Sequence, residues 1–417
     1  MADMADLTLH AVMAFTGKEL PPMQVCRHDS LHQLRQKVAE ACGVPAALVQ
    51  LVTESGPIQE QGTIGEALKD GEVQVALTPQ GREVITASQD GSARVWHADS
   101  GECVFHLTPP SSSGAVHCAL LSRCGREAIT GSADGTIRRW FLEGGDCVLL
   151  EGHSRAVAQL KLAPEGRLLS ASDDSTVKLW RLQDGCCLLT LEHPDTFERG
   201  VRSVAFSLDA RCIVAAGANG LVVQYSESGE IQAKHQGHTA AVNSVVFSPE
   251  GKRLLSASDD RTARIWHIAS SSCMVLGDPS DGSGPAFAAS FSPDGRLAVV
   301  AHFARCARLY DMTGSCIHVL QHSDAVLSVD FSPDASLVLT ASDDATCGLW
   351  RVADGGLLFR LHGHKQGVNI GAFSPDGAQV LSASDDREAR LWSVATGACL
   401  RVLQGHHKRL NGADFCR

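Results

Sequence analysis

The chain has 417 residues, 44% hydrophobic and 20% charged, with 36 Lys and Arg against 47 Asp and Glu for a formal charge of −11. That length allows two or three ordinary domains, or one repeat array with an appendage, and no apolar run approaches the ~18 residues that span a bilayer. The negative balance opposes a polyphosphate backbone, which argues against nucleic acid as a partner.

The opening Met-Ala-Asp-Met-Ala-Asp has neither a basic start nor an apolar stretch ahead of a cleavage site, so the expected address is intracellular: the cytoplasm, with the nucleus as the alternative. Alternating LTLHAVMAF from Leu7, a turn at Thr16-Gly17-Lys18 and then LPPMQVCRHDS predict a hairpin. Ser30 is placed to cap a helix whose Leu31, Leu34, Val38 and Ala41 share one stripe and which Gly43 ends ahead of Pro45. A strand at 49–53, a helical turn at 63–68 and a last strand at 72–77 complete the segment. This β-β-α-β, short helix, β order over residues 1–77 resembles the ubiquitin-like β-grasp domain, by topology and without a diagnostic motif. The resemblance implies a docking module, with ubiquitin machinery as one partner class; a cap on the following domain is the other reading. The last strand runs directly into Thr78 and Pro79 with no Gly-Gly tail, so a conjugated modifier is not expected.

From residue 78 the chain is a repeat. VNSVVFSPEGKRLLSASDDRTARIWHI from Val242, VLSVDFSPDASLVLTASDDATCGLWRV from Val326 and VNIGAFSPDGAQVLSASDDREARLWSV from Val368 share one template. The aromatics that close successive copies are Trp96, Trp140, Trp180, Tyr225, Trp266, Tyr310, Trp350 and Trp392, 40–45 residues apart. Within a copy, an alternating strand from Val242 ends at a Ser248-Pro249-Glu250-Gly251 turn. A second strand, 253–258, meets the Asp259-Asp260 turn, a third carries Trp266, and a fourth lies at 273–275. Fifteen cysteines, with no C-x-x-C pair and no zinc-type spacing, are expected to be free thiols, and no metal or cofactor is expected.

Gly-His, Ser-Pro-Asp-Gly, Ser-x-Asp-Asp and the Leu-Trp or Ile-Trp endings make residues 78–417 resemble the WD-repeat β-propellers. The expected fold is mainly β: an eight-bladed propeller, with seven blades as the alternative, behind the small α+β domain. The first copy lacks an opening strand, whereas GHHKRLNGADFC at the C-terminus supplies one without a blade to follow. Strand 410–416 is therefore expected to pair with the first blade and remove the open edges; the alternative assigns Val73–Leu77 to that place.

His153, Ser170, Asp174 and Trp180 recur as His238, Ser256, Asp260 and Trp266, as His322, Thr340, Asp344 and Trp350, and as His364, Ser382, Asp386 and Trp392. Ser, His and Asp together suggest nucleophilic catalysis, but a set repeated four times serves what every blade needs, so no catalytic residue is assigned. The resemblance implies a hydrogen-bonded chain bracing each blade, and closure would make His406 complete a fifth set with Thr86, Asp90 and Trp96. Three copies depart: Thr130, Asp134 and Trp140 have no His ahead; Tyr225 follows Ala215 and Asn219; Tyr310 follows Val300 and Ala304.

The resemblance also implies that partners meet the face lined by inter-blade loops and tight turns. Before the turn Asp stand Gln89, Ala133, Asp173, Ala218, Asp259, Phe303, Asp343 and Asp385; after the first apolar residue of each opening strand stand His117, Ala158, Arg202, Asn243, Phe287, Leu327, Asn369 and Asn411. Asp173, Asp259, Asp343 and Asp385, with Arg202 and an apolar corner of Phe287, Phe303 and Leu327, are the candidate partner-binding residues, suited to a basic segment. Plain turn chemistry is the competing explanation for the Asp pairs. Longer loops at 108–114, 193–200 and 277–285 precede the departing copies, which places the expected surface toward the Tyr225 and Tyr310 blades.

The function expected is a non-catalytic scaffold for other proteins, a monomer within a larger complex. A substrate-recognition adaptor tied to ubiquitin machinery is the alternative. An enzyme is disfavoured by the lack of a Gly-rich phosphate loop, a metal cluster or an isolated acid-base pair. A phosphate reader using Arg202, Arg253 and Arg305 is opposed by the net charge.

Overall fold

The computed structural model describes residues 83–416 apart from 110–113, 123, 143–145, 164–165, 195–199, 271 and 278–281, together with five short strands within 6–77. The chain divides into two units, Met1–Gln80 and Gly81–Arg417. In the first, Asp6–Leu9 pairs antiparallel with Met23–Cys26, and Val49–Thr53 pairs with Gly56–Pro57 and Gln74–Leu77. The helix expected after Ser30 and the turn at 63–68 lie outside the described residues. Because Gln74–Leu77 is hydrogen-bonded to Val49–Thr53, it is not the strand that opens the first repeat.

The second unit is eight four-stranded antiparallel sheets, and its described residues contain no α-helix. Blades 2 to 8 begin at Val116, Val157, Val201, Val242, Ala286, Val326 and Val368, and each is one continuous run of strands. Blade 1 takes three strands from 83–107 and its innermost strand, Leu410–Phe415, from the other end of the chain. The register runs Leu410↔Ser88, Ala413↔Thr86 and Phe415↔Val84, and the Cys416 amide donates to the Glu83 carbonyl at 3.0 Å. Opening strands pack against one another in succession, and the series returns from Val368–Phe373 through Leu410–Phe415 to Val116–Leu121, which closes the ring.

Burial within a blade follows position in the ring. Arg253–Ser258 is buried at every residue but its first, so both faces require apolar or small side chains, which Leu254, Leu255, Ser256, Ala257 and Ser258 supply. The outermost strand, Cys273–Leu276, buries only Leu276 fully. There is no single core: eight apolar clusters fill the eight inter-blade interfaces. The closing aromatic of each blade seals the interface with the blade before it; Trp96 lies among Leu381, Ala383 and Leu391 of blade 8, and Tyr225 among Leu169, Ala171 and Leu179 of blade 3.

Each opening strand also slips by one residue against its neighbour. The shift skips His117, Ala158, Arg202, Asn243, Phe287, Leu327, Asn369 or Asn411, according to the blade. A bulged residue has no cross-strand partner and its side chain is turned out of the pleat, so the backbone itself presents these eight positions at the end of the blades where the Asp turns lie.

Candidate interaction face

The sequence sets come together as hydrogen-bonded chains. In blade 3, His153 Nδ1 lies 2.8 Å from Asp174 Oδ2, His153 Nε2 lies 2.7 Å from Ser170 Oγ, and the Trp180 indole donates to the same Oγ at 2.8 Å. The chain repeats through His238, Asp260, Ser256 and Trp266, through His322, Asp344, Thr340 and Trp350, and through His364, Asp386, Ser382 and Trp392. A fifth joins the chain ends: His406 bonds Thr86 Oγ1 at 2.8 Å and Asp90 Oδ2 at 3.0 Å, and Trp96 donates to Thr86 at 2.9 Å.

Burial works to raise the Asp90 carboxyl, but bonds from His406, Ser92 and the His407 amide together hold it far below the ordinary carboxylate range; the same balance lowers Asp174, Asp260 and Asp344, and takes Asp386 to about 2. All five hydroxyls are fully buried, and each oxygen already accepts an indole N–H while bonding an imidazole. No substrate reaches such an oxygen, so the geometry braces strands and does not present a nucleophile.

The departing blades use other means. Trp140 donates to Thr130 at 3.0 Å while Asp134 caps its own turn by accepting from the Thr136 amide and hydroxyl, and Tyr225 donates to the Glu192 carbonyl at 3.0 Å. In blade 7, Gly348 stands opposite Arg360, whose guanidinium lies 5.7 Å over Trp350 and bonds His322 Nδ1 at 3.0 Å. In blades 1 and 5 the corresponding cation comes from the tryptophan's own strand, as Arg94 and Arg264.

The candidate partner-binding residues divide into engaged and unengaged groups. Arg202 reaches across to the next blade, bonding Asn243 and lying 3.2 Å from Asp259 Oδ2, while Asn243 donates to Asp259 Oδ1 at 2.7 Å. Asn369 holds Asp385 Oδ1 at 2.7 Å. Asn243, Asn369 and Asn411 each also donate to the first carbonyl of the following blade, so the bulge stitches neighbours together. Two of the four expected carboxylates are thereby bound up within the protein. Asp343 is not: the residue is exposed overall, but its carboxyl is partly desolvated against the turn, which raises it, and the charges of Asp324, Asp385 and Asp344 raise it further.

Phe287 and Leu327 occupy bulge positions but cannot make the Asn bond, and both are half-buried. Phe303 is 57% exposed and meets Phe287 edge to face at 6.2 Å. Its turn is held by amide bonds from Phe303 to Pro285 O at 2.9 Å and from Ala304 to Ser283 O at 3.1 Å. Gly284, at φ +65°, leaves no spare room, since a Cβ there would sit 3.2 Å from that of Phe303. The aromatic is thus presented by a fixed turn.

Two further side chains, outside the predicted set, stand at the ends of the blades. Asp324 adds a carboxylate beside Asp343, and Leu208, 79% exposed, replaces the Pro of the Ser-Pro turn in blade 4 at the opposite end of the blades. The signal for Leu208 was the broken turn template. Among the described residues no group of His, Cys, Asp and Glu is placed to hold a metal ion, and no helix is long and apolar enough to cross a membrane.

Comparison with known proteins places the repeat. Residues 64–97, 101–140, 146–181, 185–226, 229–267, 314–351 and 355–393 match the family described as WD domain, G-beta repeat. The unmatched interval, 268–313, holds the first three strands of blade 6, whose copy ends in Tyr310 and which nevertheless forms a complete four-stranded sheet. The chain is similar to human WD repeat-containing protein 37, 29% identical over 31% of this chain and 34% of that one. It is also similar to the nuclear distribution protein PAC1 of Arthroderma otae, 33% identical over 39% and 37%, and to bovine pre-mRNA-processing factor 19, 42% identical over 16% and 14%. The chain therefore spans 14–37% of the length of these relatives. Among solved structures, the computationally designed Ika8 protein aligns with a TM-score of 0.63 at 24% identity, covering 73% of this chain and 91% of that one, a likeness of fold.

Proposed function

We propose that this chain, which belongs to the WD-repeat family, is a non-catalytic scaffold that receives a basic, apolar-flanked segment of a partner protein on the face formed by its bulges and Asp turns. The reading is carried by the corner where Phe303 stands exposed against Phe287, one blade away from half-buried Leu327 and the unengaged carboxylate of Asp343. An aromatic pair on a rigid turn supplies an anchor at little entropic cost, and a carboxylate left without an internal cation selects a positive group. The relatives' names point to different cellular tasks, nuclear distribution and pre-mRNA processing among them, so the partner is defined here by chemistry alone.

The test is quantitative affinity purification from cells with wild-type chain, Phe287→Ala/Phe303→Ala and Asp343→Asn. The proposal expects the same partners to be lost from the first variant and depleted in the second; an unchanged partner set sinks it. The adaptor reading rests on residues 1–77 alone. Removing residues 1–80 should then abolish association with ubiquitin-ligase components while leaving partners of the corner in place.

A further inference from the structure

The repeat template needs no positive side chains at its loop tips, yet one sector of the face carries five groups able to be cationic. We infer that the loops where blade 8 meets blade 1 form a second docking site, for a short acidic segment of a partner polypeptide.

Lys365, Arg387, His407, Lys408 and Arg409 are all exposed. Lys365 and Arg387 line a cleft of ≈ 350 Å³ with Gln404, Gly405 and the buried His406; the loop then continues through His407, Lys408 and Arg409 into the closing strand at Leu410. Two carboxylates also border the cleft, and both are already committed. Asp386 accepts from His364 and from the amides of Lys365 and Glu388, and Glu388 accepts from Arg390 and Gln404. The side chains of Lys365, Arg387, Lys408 and Arg409 have no carboxylate partner among the described residues.

These cations are not required by the bracing chain. The residue after each tetrad His contributes its backbone amide to the Asp, and Ser154, Thr239 and Ser323 do so as well as Lys365 and His407. The two positions that follow are Ala240-Ala241 in blade 5 and Asp324-Ala325 in blade 7, against Lys408-Arg409 here. Arg387 holds φ +74° at a turn position that blade 1 fills with Gly91 and blades 5 and 6 with Arg261 and Arg305, a conformation that costs a side-chain-bearing residue about 1 kcal/mol, and in blade 8 it stands beside the cations of the next loop. The whole chain carries a formal charge of −11, so an acidic segment is repelled by most of the surface and its attraction is confined to this sector. Asp385 shares its turn with Arg387 but accepts from Asn369, and the carboxylates of Asp343 and Asp324 belong to the adjoining blade 7, so a long polyanion following the face would meet repulsion there. A short peptide does not. The site is independent of the aromatic corner proposed above.

The experiment titrates the full chain against a fluorescein-labelled ten-residue glutamate peptide by anisotropy at about 50 mM salt, where exposed charges are weakly screened. Arg387→Glu/Lys408→Glu is expected to weaken binding by about tenfold or more, as does raising the salt, whereas Arg296→Glu, a cation on the opposite-end turn of blade 6, leaves it within about twofold. Lys365→Gln/Arg409→Gln, which leaves the Arg387 turn intact, reads the same site should the first variant fold poorly. Absence of binding by wild type, equal loss in Arg296→Glu, or stronger competition by a ten-nucleotide single strand than by unlabelled peptide would each overturn the inference.

Discussion

Closing the ring with a strand from the far end of the chain concentrates a long-range dependence in one oxygen. Thr86 Oγ1 accepts from Trp96 Nε1 at 2.9 Å and bonds His406 Nε2 at 2.8 Å, across 320 residues of sequence. Thr86→Val keeps the volume and removes the hydroxyl, so no cavity term enters. What remains is a buried indole N–H and a buried imidazole nitrogen without partners, each costing ~1–3 kcal/mol, or about 2–6 kcal/mol together. Urea unfolding followed by tryptophan fluorescence measures this loss, and a cycle with His406→Ala isolates the shared bond. Because either substitution alone breaks it, the double variant should be less destabilised than the sum by about 1 kcal/mol or more. Ser170→Ala removes the same pair of bonds in blade 3, where His153 is 17 residues away. It should cost a similar amount while leaving amide exchange in 410–416 unchanged, whereas Thr86→Val should accelerate that exchange selectively. A loss under about 0.5 kcal/mol, or strict additivity in the cycle, would refute the bracing role.

Other expectations concern titration and reactivity. Burial raises the Glu83 carboxyl to about 7, and its Oε2 has no hydrogen-bond partner among the described residues. A raised carboxyl favours the fold below its unfolded pKa of about 4.3 and loses that contribution as pH rises through about 7; Glu83→Gln should therefore raise Tm at pH 8 relative to wild type more than at pH 5, and the opposite ordering would contradict the burial argument. Asp386 has the reverse sign: held at about 2, it contributes above the unfolded value of about 3.9 and loses that as pH falls through about 2. The Tm gap between wild type and Asp386→Asn should narrow steadily from pH 5 to pH 2; a constant gap would mean the carboxylate charge is irrelevant. Cys103, Cys273, Cys316 and Cys399 lie exposed at the start of outer strands, whereas Cys347 is buried and its thiol is pushed up to about 12 by burial and then by Asp344. Maleimide at neutral pH should modify the first four in the folded protein and reach Cys347 only on unfolding, as mass spectrometry of digests would report.

Much of this molecule is local and therefore legible. Asp-Asp turns, Ser-Pro-Asp-Gly turns and alternating strands are short-range chemistry, and repetition multiplies a weak signal until blade number and strand order follow from the positions of eight aromatics. The recurrence of His, Ser and Asp at equal offsets marked these residues as a repeated set, because contacts inside one blade recur with the period, while the chain joining them was implied by the resemblance and not by the spacing. What the sequence could not determine is whatever depends on the neighbouring blade. Asp259 and Asp343 stand at the same repeat position, yet one is held by Arg202 and Asn243 from two blades while the other is left exposed among carboxylates. Phe303 projects because Ser283 and Pro285 fix its turn, and the eight face residues point outward because a one-residue register slip leaves each unpaired. Charge compensation, exposure and bulge direction are set by packing between sheets, and only the closed ring brings those sheets together.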